Sequence, residues 1–539
     1  MRFTRREALL AAAITTAGAS APGIAAKRSP DAKFLWGAAT AAHQVEGGNV
    51  NSDYWVMEHV PGTYFREPSG DACASWNRWR EDLALVKAGG MNAYRFSVEW
   101  ARIEPERGEF STATLARYRR ICLAAREMGI EPIVTLHHFT SPRWIAALGG
   151  WENSEVADHF ARYAERTARA LAGAAKWFCT MNEPNAQVTS KIMQRKPWDI
   201  EPRLRADAAK AVGSDRFHMY FLGDSFKVRD NCIAAHAKGR GAVKSVIPGA
   251  RVDMTLALQK LVAGPGGEAL YKRIWDNARA SFYQAAKGDD FIGVQTYNLS
   301  RTGPEGYMPA TAALEERDMF GFGSSPSALA ATVREAHRET GIPVMVSENG
   351  INTSNDAQRS RHLRATVGEL ARVIDGGVPV IGYVHWSLLD NFEWSSGYVA
   401  RFGLVAVDPT TFKRTAKPSL AVYREVIAEM RRTNPGHERS AHPIVLARFQ
   451  IVPVTGRNSS TREVIGASHS FPTQKNAHFI GGLQVGKFIK MPTYRRVLTD
   501  EASVMIKEYC SKLYITEGFT AHKEQAKFGV RHYGRKEAA

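Results

Sequence analysis

The sequence is poor in cysteine, and its few cysteines form no recognisable pattern. Cys73, Cys122, Cys179, Cys232 and Cys510 are scattered over 539 residues, odd in number and without a Cys-x-x-Cys pair. This arrangement supports neither a disulfide framework nor a zinc site. We therefore expect buried, reduced thiols and no bound metal.

A basic stripe with interleaved aromatic residues, which would indicate a nucleic-acid-binding surface, is also missing. The net charge is +17, but residues 1–30 carry five Lys/Arg against one acidic residue, and residues 440–539 carry fifteen against seven. The 409 residues between these ends hold only the remaining +5. The bulk of the protein is mildly basic, so we expect no nucleic-acid partner.

Beyond the N-terminus, no apolar run is long enough to span a bilayer, so we expect no stable membrane insertion. The N-terminus itself has paired arginines, Arg5 and Arg6, ahead of an apolar run from Ala8 to Ala17 and then small residues through Ala26. This segment resembles a twin-arginine export signal, and the alternative is a short amphipathic helix. We predict that residues 1–28 are such a signal peptide and that the protein is exported to the periplasm or beyond the cell.

Apolar residues make up 44% of the chain and charged residues 23%, as in ordinary globular proteins. From Phe34 to about Met430, strand-like runs alternate with helical patterns such as Leu115–Met128 and Arg359–Ile374, whose apolar residues recur about every 3.6 positions. The eight predicted strand cores are Phe34–Ala39, Ala93–Val98, Glu131–His137, Trp177–Asn182, Arg251–Leu258, Phe291–Tyr297, Val344–Glu348 and Val380–Trp386. We predict an α/β fold, a (β/α)8 TIM barrel over residues 31–434.

A doubly wound open sheet is the alternative fold, but it needs a glycine-rich first turn, and Gly37-Ala38-Ala39 is not a GxGxxG motif. The alternating pattern breaks after Asn434-Pro435-Gly436. We therefore place a domain boundary near residue 435 and predict a small C-terminal appendage over residues 435–539.

Two segments, Thr180–Pro184 and Val346–Gly350, end an apolar run at a glutamate beside a turn-forming residue. In a barrel, the active site is built from side chains at the carboxyl ends of the strands. Two carboxyl groups from different strands can cleave a glycosidic bond, because one protonates the leaving oxygen while the other attacks or stabilises the sugar cation. The alternative for each glutamate is a surface acid in a turn. We predict that Glu183 and Glu348 are the catalytic pair.

Residues 34–430 resemble a glycoside hydrolase of family 1, the β-glucosidase type. The resemblance depends on motifs in a fixed order rather than on any single match. They are Phe34–Gly47, Tyr94–Ser97, Asn182-Glu183-Pro184, Glu348-Asn349-Gly350, Trp386–Trp394 and Arg401–Leu404.

The resemblance implies a role for each matching residue. Glu183 is the expected general acid and then base, and Glu348 the expected nucleophile. Arg95 and Tyr297 match the residues that keep the nucleophile ionised and oriented. The implied mechanism is a two-step retaining one without a cofactor, which places the two carboxyl groups roughly 5–5.5 Å apart.

A pyranose has polar edges and an apolar face, so its site needs amides, imidazoles and carboxylates at the rim and an indole beneath. By resemblance, Trp386 is the stacking platform. The full set of predicted substrate-binding residues is Gln44, His138, Asn182, Gln295, Trp386, Glu393 and Trp394. Glu393 would repel an anion near the sugar, so we expect an unphosphorylated glycoside.

Three positions depart from the family pattern. Phe139 stands where tryptophan is common, Gln295 where asparagine is frequent, and His385 where apolar or aromatic residues are usual. These departures leave the predicted chemistry unchanged and the sugar preference open.

Residues from about 464 onward resemble the C-terminal end of a histidinol dehydrogenase, through His469–Thr473, Gly481–Phe488 and Glu517–Lys523. The resemblance implies a zinc-binding role for His522 and a substrate-binding role for Glu517. A catalytic zinc centre needs about three protein ligands, so one histidine cannot form it. We expect no dehydrogenase activity, and a fusion remnant, an accessory module and a gene-prediction artefact stay open as explanations.

We therefore predict a retaining β-glycosidase whose partner is a small glycoside, acting on β-glucosides or related β-glycosides. Transglycosylation through the same covalent intermediate is an alternative. A catalytically inactive sugar-binding protein is another, and the joint presence of both glutamates, Arg95 and Tyr297 argues against it. The exact sugar, the aglycone and the oligomeric state stay open.

Overall fold

The computed structural model describes residues 33–193, 201–308, 316–321 and 323–433. All of them fall in the first of the two units into which the chain divides, Met1–Pro443. The predicted signal peptide (1–28) and C-terminal appendage (435–539) lie outside the described residues and stay predictions. Within the described ranges, no helix has the length and apolar character needed to cross a membrane.

Eight parallel strands form a closed barrel, in which each strand pairs with the next along the chain and the last pairs with the first. They are β1 (Leu35–Thr40), β2 (Ala93–Ser97), β3 (Glu131–His137), β4 (Trp177–Asn182), β5 (Arg251–Ala257), β6 (Ile292–Gln295), β7 (Val344–Asn349) and β8 (Val380–Trp386). The predicted (β/α)8 barrel is confirmed. The doubly wound alternative is wrong, because an open sheet has two unpaired edges and this sheet has none.

Helices surround the barrel and lie in the loops above it. The α-helices of the described residues are Ala42–Val45, Asp53–His59, Ser75–Ala88, Trp100–Ile103, Thr112–Glu127, Arg143–Ala147, Val156–Leu171, Ala186–Ile192, Glu201–Ala211, Ser225–Val246, Glu268–Trp275, Ser281–Ala286, Pro326–Thr340, Asp356–Asp375 and Pro418–Thr433. Short strands outside the barrel are Lys260–Ala263, Leu299–Thr302 and Tyr307–Met308 in one sheet, Glu316–Arg317 with Gly323–Ser324, and Val405–Val407 with Arg414–Ala416.

The two helices predicted from periodicity begin three residues earlier than expected, because polar side chains cap them. The hydroxyl of Ser111 accepts a hydrogen bond from the backbone N–H of Thr114, 3.2 Å away. The side-chain oxygen of Asn355 accepts from the N–H groups of Ala357 and Gln358 at 3.1 and 3.3 Å. An apolar repeat marks the buried face of a helix, whereas these caps fix where each helix starts.

Small shifts at the strand ends affect the candidate site. Arg95 is the central residue of β2. Glu183 follows the end of β4 and has a positive φ of 48°. Tyr297 lies two residues beyond β6, which ends at Gln295. The barrel strands therefore hold Arg95 rigidly, while Glu183 and Tyr297 occupy the turns that begin the loops.

Side chains fill the barrel interior. Its apolar part includes Leu35, Ala39, Ala93, Ile133, Cys179, Phe291, Met345 and Ile381. A Cβ atom on Gly293 would lie 2.4 Å from Cγ2 of Thr255 and 2.7 Å from Oδ2 of Asp253, so glycine is needed where β6 passes these β5 side chains. A filled interior leaves the carboxyl-terminal face of the barrel as the place for a ligand.

The last described helix closes the barrel through Tyr423, which is fully buried. Its hydroxyl donates a hydrogen bond to the carbonyl oxygen of Gly37 on β1 at 2.8 Å. Its ring lies 6.0 Å from the ring of Tyr383 on β8 and 6.5 Å from that of Trp36 on β1. One side chain thus spans the seam between the first and last strands.

We expect Tyr423→Phe to lower the free energy of unfolding by about 1 kcal/mol, because only the hydrogen bond is lost. Tyr423→Ala should lower it by about 3–5 kcal/mol, because a cavity opens at the seam. Urea denaturation of the two variants and the wild type measures both. Equal losses in the two variants would mean that the ring contributes nothing to closure.

Candidate active site

The predicted site residues converge on a cavity of about 410 Å³ at the carboxyl ends of the strands. The predicted residues that line it are His138, Asn182, Glu183, Tyr297, Glu348, Trp386, Glu393 and Trp394. Arg95, Gln44 and Gln295 lie behind this lining and are fully buried. The structure thus brings all eleven predicted residues to one place and separates those that face the cavity from those that support them.

Glu348 is buried and held by two donors. Nη1 of Arg95 donates to Oε1 at 2.5 Å, and the hydroxyl of Tyr297 donates to Oε2 at 2.6 Å. Burial raises the pKa of this carboxyl group, and the positive charge of Arg95 and the Tyr297 hydrogen bond oppose that rise. Both contacts favour the carboxylate and fix its orientation toward the cavity.

Arg95 is itself held from the side by Asn182. Its Nη2 donates to Oδ1 of Asn182 at 2.6 Å, and the same oxygen accepts from Nε2 of Gln295 at 2.8 Å. The hydroxyl of Thr255 donates to that oxygen as well, at 3.3 Å. Oδ1 of Asn182 thus accepts three hydrogen bonds and has no capacity for another. Residues of β4, β5 and β6 together hold the guanidinium group of Arg95 in place. Direct contact of Gln295 with a substrate stays a prediction.

Glu183 has a different environment. Its backbone N–H donates to the carbonyl oxygen of Thr255 at 2.9 Å, and the hydroxyl of Tyr220 donates to its own carbonyl oxygen at 3.3 Å. These contacts hold the backbone in its positive-φ conformation. Burial and the negative charge of Glu348 raise the pKa of its carboxyl group to about 8, although Arg95 acts in the opposite direction. Glu183 therefore keeps its proton at neutral pH.

The two carboxyl groups thus face one cavity with unequal proton affinity. Arg95 and Tyr297 donate to Glu348 and not to Glu183. One group is suited to nucleophilic attack and the other to proton donation, which is the pattern by which acid and base roles are separated in active sites.

Glu393 forms a second polar centre in the cavity. Nε1 of Trp386 donates to Oε1 at 3.1 Å, and Nε2 of Gln44 donates to Oε2 at 3.3 Å. Burial, with a smaller contribution from Glu348, raises the pKa of Glu393 to about 8. In this geometry Gln44 orients Glu393 from behind, and its direct contact with a ligand stays a prediction.

Aromatic rings complete the inner cavity. The ring of His138 lies 5.7 Å from that of Trp386, with 24° between their planes. His43 stacks on Trp394 at 5.9 Å and 7°, and Nε2 of His43 lies 2.8 Å from a carboxylate oxygen of Glu58. Burial lowers the pKa of His138 well below its usual value, so its ring is neutral. Flat, neutral surfaces here can support the apolar face of a ring.

His385, one of the three departures from the family pattern, does not line the cavity. It is fully buried, and its ring lies 6.0 Å from that of Tyr423. Burial lowers the pKa of its imidazole to about 3, so the ring is neutral. This departure affects packing between β8 and the last helix rather than direct contact with a ligand.

Sequence reasoning missed much of the outer cavity, which loops supply. The missed lining residues are Tyr54, Tyr64, Phe65, Ser190, Phe221, Phe320, Ser395, Ser396 and Phe402. Only Phe402 had a signal, since it falls in the Arg401–Leu404 motif. In the part of the chain that the structure describes, no group of three or more His, Cys, Asp or Glu side chains is placed to hold a metal ion.

Comparison with known proteins identifies two families. Residues 27–269 and 295–432 match Glycosyl hydrolase family 1, and residues 457–530 match Histidinol dehydrogenase. Beta-glucosidase A of Thermotoga maritima is 29% identical over 457 residues, covering 74% of this chain and 98% of that protein. A 1,4-beta-D-glucan glucohydrolase of Thermotoga neapolitana is 28% identical, with coverage of 74% and 98%.

A solved structure agrees with the match to glycosyl hydrolase family 1. The crystal structure of beta-glycosidase BGL167 is 42% identical and superimposes with a TM-score of 0.71. The match covers 75% of this chain and 98% of that one. The barrel of this chain therefore corresponds to a nearly complete protein of that kind.

The difference between the two carboxyl groups can be tested by titration. In the wild type, Glu183 should lose its proton as the pH rises through about 8. Glu348→Gln removes the nearby negative charge, so the pKa of Glu183 should fall. Difference infrared spectroscopy measures this midpoint once the Glu183 band is assigned by its absence in Glu183→Gln, because the pKa of Glu393 is also raised to about 8. Glu81→Gln, at a half-exposed ion pair with Arg78, is the matched control and should leave it unchanged. An unshifted midpoint in Glu348→Gln would show that the two groups are not coupled.

Proposed function

This chain belongs to glycosyl hydrolase family 1 and is a glycoside hydrolase, and on that premise we propose that it hydrolyses β-glucosides or related unphosphorylated β-glycosides with retention of anomeric configuration. The observation that supports the proposal is the pair of carboxyl groups in one cavity. Arg95 and Tyr297 hold Glu348 as a carboxylate, whereas Glu183 keeps its proton. The names of the relatives support the β-glucoside class.

In the first step, an oxygen of Glu348 attacks the anomeric carbon and forms a glycosyl ester. The bond from that carbon to the leaving oxygen breaks, and Glu183 transfers its proton to this oxygen. Glu183 becomes a carboxylate as Glu348 loses its negative charge, so the net charge of the site is unchanged. Arg95 thus has an anionic neighbour at both stages.

In the second step, the glycosyl ester no longer carries the charge that raised the pKa of Glu183. Glu183 can then take a proton from water, whose oxygen attacks the anomeric carbon. The ester bond breaks, Glu348 returns as a carboxylate beside Arg95, and Glu183 is protonated again. Each attack inverts the anomeric carbon, so two attacks retain its configuration.

The lining of the cavity supports an unphosphorylated sugar. The repulsion of an anion by Glu393 that was expected from the sequence does not operate at neutral pH, because the pKa of this residue is about 8 and it is protonated. The lack of a cation in the lining supports the same conclusion instead. None of the described residues that line the cavity is Lys or Arg. A phosphate group buried there would lack a cationic partner, and burying an unpaired charge is costly.

Glu348→Ala should lower kcat/KM for methyl β-glucoside by at least about a thousandfold, because no nucleophile replaces the carboxylate. NMR spectroscopy of the wild-type reaction should show the β-anomer of the free sugar first. Undiminished turnover in the variant would exclude Glu348 as the nucleophile, and early formation of the α-anomer would exclude retention. Glu81→Ala is a surface control that should keep full activity.

We also propose that the protein is exported through its N-terminal segment, which is supported by Arg5 and Arg6 ahead of an apolar run. Replacing both by lysine keeps the charge but removes the guanidinium pair. Cell fractionation should then show the protein retained inside the cell, whereas Arg28→Lys should leave export unchanged. Normal export of the Arg5→Lys/Arg6→Lys variant would contradict a twin-arginine signal.

A further inference from the structure

The pairing of β4 with β5 changes register just before the candidate site. Cys179 of β4 pairs with Asp253 of β5. Asn182, three residues later, pairs with Thr255, which is only two residues later on β5. Strand β4 therefore contains a β-bulge of one extra residue, and a bulge re-aims the side chains that follow it. The side chains that follow here are those of Asn182 and Glu183, with which β4 ends and the next loop begins.

The bulge decides which way Asn182 faces. Side chains alternate between the two faces of a regular strand, so residues three apart point to opposite faces. Cys179 belongs to the apolar interior of the barrel, and Asn182 also points inward, where its Oδ1 accepts a hydrogen bond from Arg95. Without the extra residue, Asn182 would point away from Arg95, and Glu183 would be displaced with it.

Thr180, which lies within the bulge, is held from outside the barrel. Its hydroxyl donates to the carbonyl oxygen of Asp253 at 3.0 Å and lies 2.7 Å from Nδ1 of His236. His236 is on helix Ser225–Val246 and is only 1% exposed. Its Nε2 lies 3.0 Å from Oδ1 of Asp289, and because a carboxylate can only accept, Nε2 donates.

Asp289 is held in its turn. Nη1 of Arg240, one helical turn beyond His236, donates to the same Oδ1 at 2.6 Å. The side chain of Asp289 is fully buried, and the residue lies three positions before the start of β6. Hydrogen bonds thus connect the helix and the entry to β6 with Thr180 in the bulge. A buried polar network with its partners in place specifies one arrangement of the groups that it joins.

Building on the proposed function, we infer that His236 is a positioning residue for Glu183. Through Thr180 it fixes the bulge of β4, and the bulge sets where Glu183 stands in the cavity. His236 does not line the cavity, so it acts only through the strand. Its loss should weaken proton transfer by Glu183 more than attack by Glu348, which comes from β7.

The test changes the leaving group, so that proton donation is separated from every other effect. 2,4-Dinitrophenyl β-glucoside releases a stable phenolate without a proton, whereas the far more basic phenolate of phenyl β-glucoside needs one. His236→Leu has no polar atom for either partner. With the full chain, the ratio of kcat/KM for phenyl to 2,4-dinitrophenyl β-glucoside should fall about tenfold or more, because small displacements of a reacting group are costly. Glu183→Ala gives the largest fall that a lost proton donor can produce.

Thr180 offers a milder pair of variants. Thr180→Val keeps the shape of the side chain without its hydroxyl, so the same ratio should fall. Thr180→Ser keeps the hydroxyl and should bring the ratio back toward the wild-type value. Lys238→Ala is the matched control on the same helix, because it removes only an exposed ion pair with Asp158 and should leave the ratio unchanged.

The ratio also distinguishes this role from a merely structural one. A smaller folded fraction lowers kcat/KM for both glucosides by the same factor and leaves the ratio as it is. Equal losses on the two glucosides in His236→Leu, or an unchanged ratio in Thr180→Val, would therefore overturn the inference. A wild-type protein that hydrolyses neither glucoside would instead contradict the proposed function.

Discussion

The contact between Arg95 and Glu348 is the interaction on which the site depends. A carboxylate that is only 4% exposed needs a cation nearby, and Nη1 of Arg95 supplies it at 2.5 Å. Without that cation, burial alone would favour the protonated acid, which is a poor nucleophile. The negative charge that Arg95 maintains on Glu348 adds to the effect of burial, and together they keep the proton on Glu183. One buried ion pair therefore acts on the proton affinity of both carboxyl groups, in addition to burial.

The barrel makes this ion pair possible because it brings together two strands that are three places apart around the closed sheet. Arg95 is the central residue of β2, and Glu348 lies near the end of β7. The guanidinium group is further held by Asn182 on β4, whose oxygen also accepts from β5 and β6. Five strands thus meet at one charged group, so its position depends on closure of the whole barrel rather than on any single loop.

Recognition divides between strands and loops. The polar inner cavity comes from residues at strand ends and in the segment after β8, where Glu393 accepts hydrogen bonds from Trp386 and Gln44. The outer cavity comes from loops, which lie farther from the barrel and differ most readily in sequence. The carboxyl groups of the inner cavity are therefore tied to the scaffold, while loop residues build the outer cavity.

The sequence by itself determined the barrel and its eight strands, and it predicted the eleven residues that the structure brings together at one cavity. Strand runs, their alternation with helices and the motifs at strand ends are local signals, and each falls within a few residues of its observed element. The tertiary structure decided which of those residues face the cavity, since Gln44 and Gln295 are buried behind Glu393 and Asn182. It also decided that Phe221, Phe320 and Tyr64 surround the same space, although they are far apart along the chain. Burial, proton affinity and the meeting of distant loops depend on which atoms surround a residue in space, and no local pattern in the chain encodes that neighbourhood.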